Sequence, residues 1–102
     1  MIGLEYICKL HNRPFNKVAG ELGLSRQAVH GWLKSLNPIS KKHLPKLAQM
    51  FNLPEEYFQK KLTKKEEIEI SLITLNNGIL EYEQKNNVKL KYKDGHFVEI
   101  KL

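Results

Sequence analysis

Arg26 and Gln27 are adjacent, His30 and Gly31 follow one helical turn later, and Lys34 comes a turn after that. A guanidinium and a carboxamide each meet a flat, hydrogen-bonding edge with two contacts at once. Arg matches the O6 and N7 acceptors of guanine, and Gln matches the N6 donor and N7 acceptor of adenine. Such chemistry needs both side chains on one exposed helix face, with cations nearby to hold an anionic backbone. His30 and Lys34 share the spacing, and each suits a base or a phosphate. Gly31 costs a helix interior about 1 kcal/mol relative to Ala. Close approach to a duplex and tight packing against a neighbouring segment account for it equally well.

The elements that must position these side chains lie in Phe15 to Ser35, FNKVAGELGLSRQAVHGWLKS. The stretch predicts a helix over 15–22, a tight turn, and a second helix over 25–36. Ala19 is small where the helices would cross, Gly23 can take the positive φ of a C-cap, and Ser25 is an N-cap. Val29 and Trp32 lie a turn apart on the inward face. Asn16 and Lys17 are left near the exposed start of the first helix, where backbone N–H groups and the helix dipole favour a phosphate.

Ala, three residues, Gly, five residues, Val, two residues, Trp resembles the helix-turn-helix of the lambda-type repressor and Cro family, over roughly Leu4 to Phe58. The resemblance implies that the first turn of the 25–36 helix reads bases in the major groove. That makes Arg26 and Gln27 the leading candidates, with His30 and Gly31 beside them. It also implies phosphate contacts from Asn16, Lys17, Ser25 and Lys34, and from Lys41 and Lys42 on the flank. One position departs from the family: many members carry Gln where this chain has Phe15, and that Gln anchors the DNA backbone and the recognition helix. Phe15 cannot do so, which leaves Asn16 or Lys17 to substitute, or a different docking angle.

Charge points the same way. Of the net +6, all resides in Met1 to Leu62, with ten Lys or Arg against four acids, while Thr63 to Leu102 has seven of each. Excess cation located with the motif favours a polyanion partner. Enzymatic readings find little support: His11, His30, His43 and His96 are scattered, metal-ligand spacing is absent, and there is no glycine-rich phosphate loop. Glu66, Glu67 and Glu69 read as an acidic helix start rather than catalytic carboxylates. Cys8, the single cysteine, reads as a small core residue. No cofactor is expected. Neither a membrane-spanning run nor a signal peptide is recognisable, so a cytoplasmic protein is the expectation.

The 102 residues, 41% apolar, suit one modest core with a small appendage. The expected fold is mainly α: a five-helix domain over 1–62, then a helix and a β-hairpin over 63–102. Helices are predicted over 3–11, with Leu4, Ile7, Cys8 and Leu10 inward, over 15–22 and 25–36, from Ser40 to Phe51, and from Glu55 to Phe58. Ser40 would cap the fourth, placing Lys41 and Lys42 in its first turn against the helix dipole, a choice that makes sense beside a phosphate. Tyr57 and Phe58 would close the core.

Thr63 and Glu66 have capping-box spacing. Ile68, Leu72, Leu75, Ile79 and Tyr82 follow in steps of four and three, as a helix packing along one narrow stripe requires. Asn76-Asn77-Gly78 predicts a break or kink. The tail VKLKYKDGHFVEIKL predicts a hairpin. A two-residue Asp94-Gly95 loop would put its apolar sets on opposite faces. A three-residue loop over 93–95 is therefore expected, pairing Leu90 with Val98, Val88 with Ile100 and Lys89 with Glu99. A lone hairpin is marginal in water. The stripe and the half-covered hairpin thus suggest a homodimer, which would set two recognition helices about 34 Å apart on palindromic double-stranded DNA. The expected function is a repressor- or Cro-like transcriptional regulator. The alternative is an antitoxin-type protein that binds a protein partner through 63–102 and represses its own promoter.

Overall fold

After five of its helices the chain turns on a residue with positive φ: Asn12 at 53°, Gly23 at 71°, Ser35 at 59°, Asn52 at 53° and Asn87 at 53°. Gly and Asn tolerate this left-handed conformation best, so their spacing cuts the chain into short helical pieces. The computed structural model describes residues 2–102. Its elements in order are α1 (Gly3–Leu10), α2 (Phe15–Leu22), α3 (Arg26–Leu33), α4 (Leu44–Phe51), α5 (Glu56–Gln59), α6 (Lys64–Asn86), β1 (Val88–Lys93) and β2 (His96–Lys101). The protein is thus mainly helical with a C-terminal antiparallel hairpin, as the sequence predicts.

One core serves α1 to α5. Leu4, Ile7, Val18, Val29, Leu47 and Phe58 are sealed from solvent, with Ala19, Trp32, Phe51 and Tyr57 packed around them. Each large apolar side chain buried this way stabilises the fold by roughly 1.5–3 kcal/mol. Leu10 does not join them; it is exposed at the end of α1. α1 and α5 approach closely at Gly3, where an added Cβ would stand 1.5 Å from the carbonyl oxygen of Tyr57. The Gly3 N–H donates to the carbonyl of Lys60 at 2.8 Å, which pins the two ends together.

Two helix boundaries differ from expectation by three residues or more. α3 ends at Leu33 rather than Leu36, closing through Ser35 N–H to Trp32 O and Leu36 N–H to Gly31 O. α4 begins at Leu44, with Pro45 in its first turn, rather than at Ser40. A helix started at Ser40 would put Pro45 inside it, where Pro lacks the N–H that the Lys41 carbonyl needs and its ring strikes that carbonyl. Lys41 and Lys42 therefore sit on a turn, and no helix dipole opposes them.

Thr63 opens α6 with the expected reciprocal cap: Glu66 N–H donates to Thr63 Oγ1 at 3.2 Å, and Thr63 N–H to Glu66 Oε1 at 3.0 Å. The helix runs 23 residues without the break expected at Gly78. Asn77 Nδ2 donates to the Asn52 carbonyl at 3.0 Å, so the weak helix formers are held by the neighbouring domain. The face that docks carries Ile70, which is fully buried, and Ile73. Around them Tyr6 Oη meets Ser71 Oγ at 2.8 Å, and Tyr57 Oη donates to Glu69 at 2.9 Å. At about 100° per residue, the expected stripe lies on the other side of the helix. Ile68, Leu72 and Leu75 are all more than half exposed.

The hairpin overturns the expected register. Lys93 pairs with His96 across a two-residue Asp94-Gly95 loop, so Leu90 faces Glu99, Lys91 faces Val98 and Val88 faces Lys101. Both loop residues have positive φ, 50° and 85°, which fits a primed turn whose twist matches that of the strands. Turn chemistry outweighed the grouping of apolar residues. Val88, Leu90, Tyr92 and Phe97 share the face containing Glu99, which accepts a hydrogen bond from Tyr82 Oη on α6. Val98 and Ile100 turn to the other face among lysines. The hairpin is anchored where Val88 is buried and where Leu90 N–H donates to Glu83 of α6 at 2.7 Å.

Candidate nucleic-acid interface

The turn between α2 and α3 is built by two backbone hydrogen bonds around Gly23. Leu24 N–H reaches the Ala19 carbonyl at 2.9 Å, and Gly23 N–H reaches that of Gly20 at 3.1 Å. This is a Schellman closure, which fixes the direction in which the chain leaves α2. Ser25 then caps α3 by accepting from Ala28 N–H at 3.2 Å, leaving its hydroxyl proton free to donate outward. Ala19, Val29 and Trp32 lock the two helices together from beneath, all of them buried. With those inward, Arg26, Gln27, His30 and Lys34 share an arc of about 100° on the outer surface of α3, and all four are exposed.

Four of the expected residues converge. Asn16 from α2 and Arg26, Gln27 and His30 from α3 line one open cleft of about 750 Å³, with the half-buried Phe15 and Leu33 completing it. No carboxylate borders that cleft. Phe15 supplies apolar wall to the cleft. Asn16 lies next to it in the cleft lining, and Lys17 lies outside that lining. Sequence reasoning missed Leu33, whose position one turn beyond His30 on the same face was the available signal.

Lys17, Ser25, Lys34, Lys41 and Lys42 are exposed but stand outside the cleft, flanking it along the chain. Among the described residues none of Lys17, Arg26, Lys34, Lys41 and Lys42 pairs with a carboxylate. The cations that do are Arg13 with Glu21 at 3.0 Å, Lys60 with Glu66, Lys64 with Glu67 and Lys65 with Glu69. The positive charge around α3 is therefore uncommitted inside the molecule.

Gly31 is a correction to the base-reading set. It is buried, and a Cβ there would meet the Asn37 side-chain nitrogen at 3.2 Å. Its carbonyl accepts from Leu36 N–H at 2.9 Å. Tight packing of the 35–37 turn against α3, not approach to a ligand, explains this glycine.

Other reactive side chains are placed elsewhere. Cys8 is buried in α1, and burial pushes its thiol up to about 12, so at neutral pH it is a protonated core group rather than a nucleophile. Among the described residues no group of three His, Cys, Asp or Glu gathers closely enough to hold a metal ion, and no helix is long and apolar enough to cross a membrane. Compared with known protein families, curated proteins and solved structures, the chain matches none of them.

Proposed function

We propose that this chain is a sequence-specific DNA-binding regulator that lays α3 in the major groove of double-stranded DNA and acts as a homodimer on a palindromic operator. The observation that carries this reading is the convergence of Asn16, Arg26, Gln27 and His30 on one exposed, carboxylate-free cleft. Arg26 and Gln27 occupy the first turn of α3 and supply the two bidentate side chains that discriminate guanine and adenine. His30, a turn later, extends the reading face. Asn16, Lys17, Ser25, Lys34, Lys41 and Lys42 hold phosphates, which orients the helix without adding sequence information. Bound at an operator, the protein regulates by occupancy, excluding or recruiting polymerase.

Pairing of two chains is supported by the outer side of α6. Ile68, Leu72, Leu75, Ile79 and Tyr82 have the steps of four and three that suit knobs-into-holes packing against an identical stripe. Apart from the half-buried Ile79, all are exposed. The same exposure favours a second reading, in which a different protein occupies the stripe and the DNA contact serves self-regulation of an antitoxin-type gene. Copurification of an unrelated chain in fixed ratio distinguishes it from the homodimer.

The testing experiment is selection of bound sequences from a random duplex pool at two salt concentrations. A single enriched palindrome whose affinity falls with salt is the expected result. Salt-sensitive binding without sequence preference makes the protein an architectural DNA binder, and no binding to duplex DNA at low salt overturns the reading.

A further inference from the structure

The observed register of the hairpin segregates its charges. Lys89, Lys91 and Lys93 alternate along β1 and therefore share one face, standing across from Ile100, Val98 and His96. Glu99, the only acid within the two strands, is on the opposite face and bonded to Tyr82 of α6. Asp94 sits in the loop, beside Lys93 in sequence, and forms no ion pair with it. All three lysines are exposed, and among the described residues none pairs with a carboxylate. The register first expected would have set Lys89 against Glu99 and neutralised one end of the row. Instead, the acid is absent from that face and its three lysines are all unpaired among the described residues, with Val98 and Ile100 beside the lysine stems.

We propose that this lysine face is a second contact to the phosphodiester backbone of duplex DNA, made outside the bases read by α3. Successive lysines are two residues apart on a strand, so the row advances in steps of about 6.6 Å and spans about 13 Å. A duplex presents about eight phosphate charges over that length, at one per roughly 1.7 Å of axis. The other face of the hairpin, with Val88 and Leu90 at its anchored end, turns to α6, which leaves the lysine face free. Ammonium groups on flexible stems meet phosphates as point charges, so the contact adds affinity and leaves base preference unchanged.

The inference rests on the DNA-binding reading, and its test separates the two. The triple variant Lys89→Gln, Lys91→Gln, Lys93→Gln is compared with wild type and with Lys64→Gln, Lys65→Gln, whose lysines are paired on α6. Binding to the selected duplex is followed across a salt series. The triple variant should lose at least about tenfold in affinity at low salt, and its salt slope should flatten by up to about 2.7 per chain, 0.9 for each lost phosphate. Its selected base sequence should be that of wild type, and the paired-lysine control should bind as wild type does. An unchanged slope in the triple variant overturns the inference alone. So does a variant that aggregates with its slope intact, which would make the lysines guards of an open strand edge. Loss of adhesion to phosphatidylserine vesicles with duplex binding intact overturns it in favour of a lipid surface. Failure of wild type to bind any duplex removes both readings together.

Discussion

The two parts of the chain treat apolar residues in opposite ways. Among the described residues, fourteen of the sixteen buried apolar residues precede Thr63, whereas ten of the twelve large apolar residues left exposed follow it. Before Thr63 a small domain buries what it has and shows its excess cations outward. After it, α6 docks one face through Ile70 and Ile73 and leaves the heptad face bare. The first part covers its apolar side chains within one chain, and the second leaves apolar surface that the rest of the chain does not cover. Contiguous exposed apolar surface on a small protein marks an interaction site more often than a defect.

The contrast is broken most directly in the core. Phe58→Ala, at a side chain with no solvent exposure, should cost about 3–5 kcal/mol in denaturant unfolding. Gly3→Ala should be comparably severe, because its new Cβ has no room against the Tyr57 carbonyl and α1 must move off α5. Leu72→Ala, measured at concentrations too low for association, should stay within about 0.5 kcal/mol of wild type. Comparable losses at Phe58 and Leu72 would mean that the stripe is structural within one chain.

A second experiment sharpens the contrast by attacking association alone. Leu72→Glu with Leu75→Glu puts charge into the proposed seam and should shift sedimentation from two chains to one, with little change in monomer unfolding. Affinity for a full palindrome should fall by about 10²-fold or more as the linked second contact is lost, while binding to one half-site stays the same. A wild type that sediments as one chain at every concentration would assign the stripe to a foreign partner.

Within the first part, the proposed base-reading role of α3 can be separated from that of its flank. Arg26→Ala should cost about 1–3 kcal/mol and relax preference at a single base position. Lys42→Ala should weaken all sequences alike and flatten the salt slope by about 0.9 per chain. Equal, sequence-independent losses from both would show that Arg26 holds phosphate rather than a base.

What the sequence made legible follows this same division. Gly23, Ser25, Ala19, Val29 and Trp32 act through local conformation and spacing, and their turn, cap and inward face all stand as expected. The exposure of Arg26, Gln27 and His30 follows from that geometry. Gly31 was ambiguous because its explanation, the Asn37 side chain, comes from a turn that local patterns do not place. In α6 two candidate faces coexist, one through Ile70 and Ile73 and one through Ile68, Leu72 and Leu75. Periodicity found the second but could not say which of them meets the domain. The hairpin set two rules in conflict, and the positive φ values of Asp94 and Gly95 prevailed over keeping Val98 and Ile100 beside Leu90. At α4 two local signals compete, the capping preference of Ser40 and the exclusion of Pro45 from a helix interior, and the proline decides where the helix starts.

The smallest expected effect lies where the two parts meet. His11, at the end of α1, stands edge-on to Phe51 with ring centroids 5.0 Å apart, and its Nε2 lies 3.3 Å from Thr74 Oγ1 on α6. Burial pushes its pKa below the ordinary 6.5, and nearby Arg13 adds to the shift. The folded state therefore favours the neutral imidazole, while the unfolded chain takes up its proton at the ordinary value. As pH falls from about 8 to about 5, stability attributable to His11 should be constant at first. It should then fall once the pH drops below the unfolded pKa, and level off below the folded one. His11→Gln removes that dependence, so wild type should lose stability relative to the variant over this range; a relative gain would mean the imidazole is charged when folded. Hydrogen exchange read along the chain gives the test its edge. Acid-induced opening confined to the first turns of α6 would make the seam at His11 and Thr74 the boundary between two cooperative units. Equal opening of α1 and α6 would mean that the docked face of α6 belongs to the first core, and that the uncovered part of this protein is only the outer side of α6 and the hairpin.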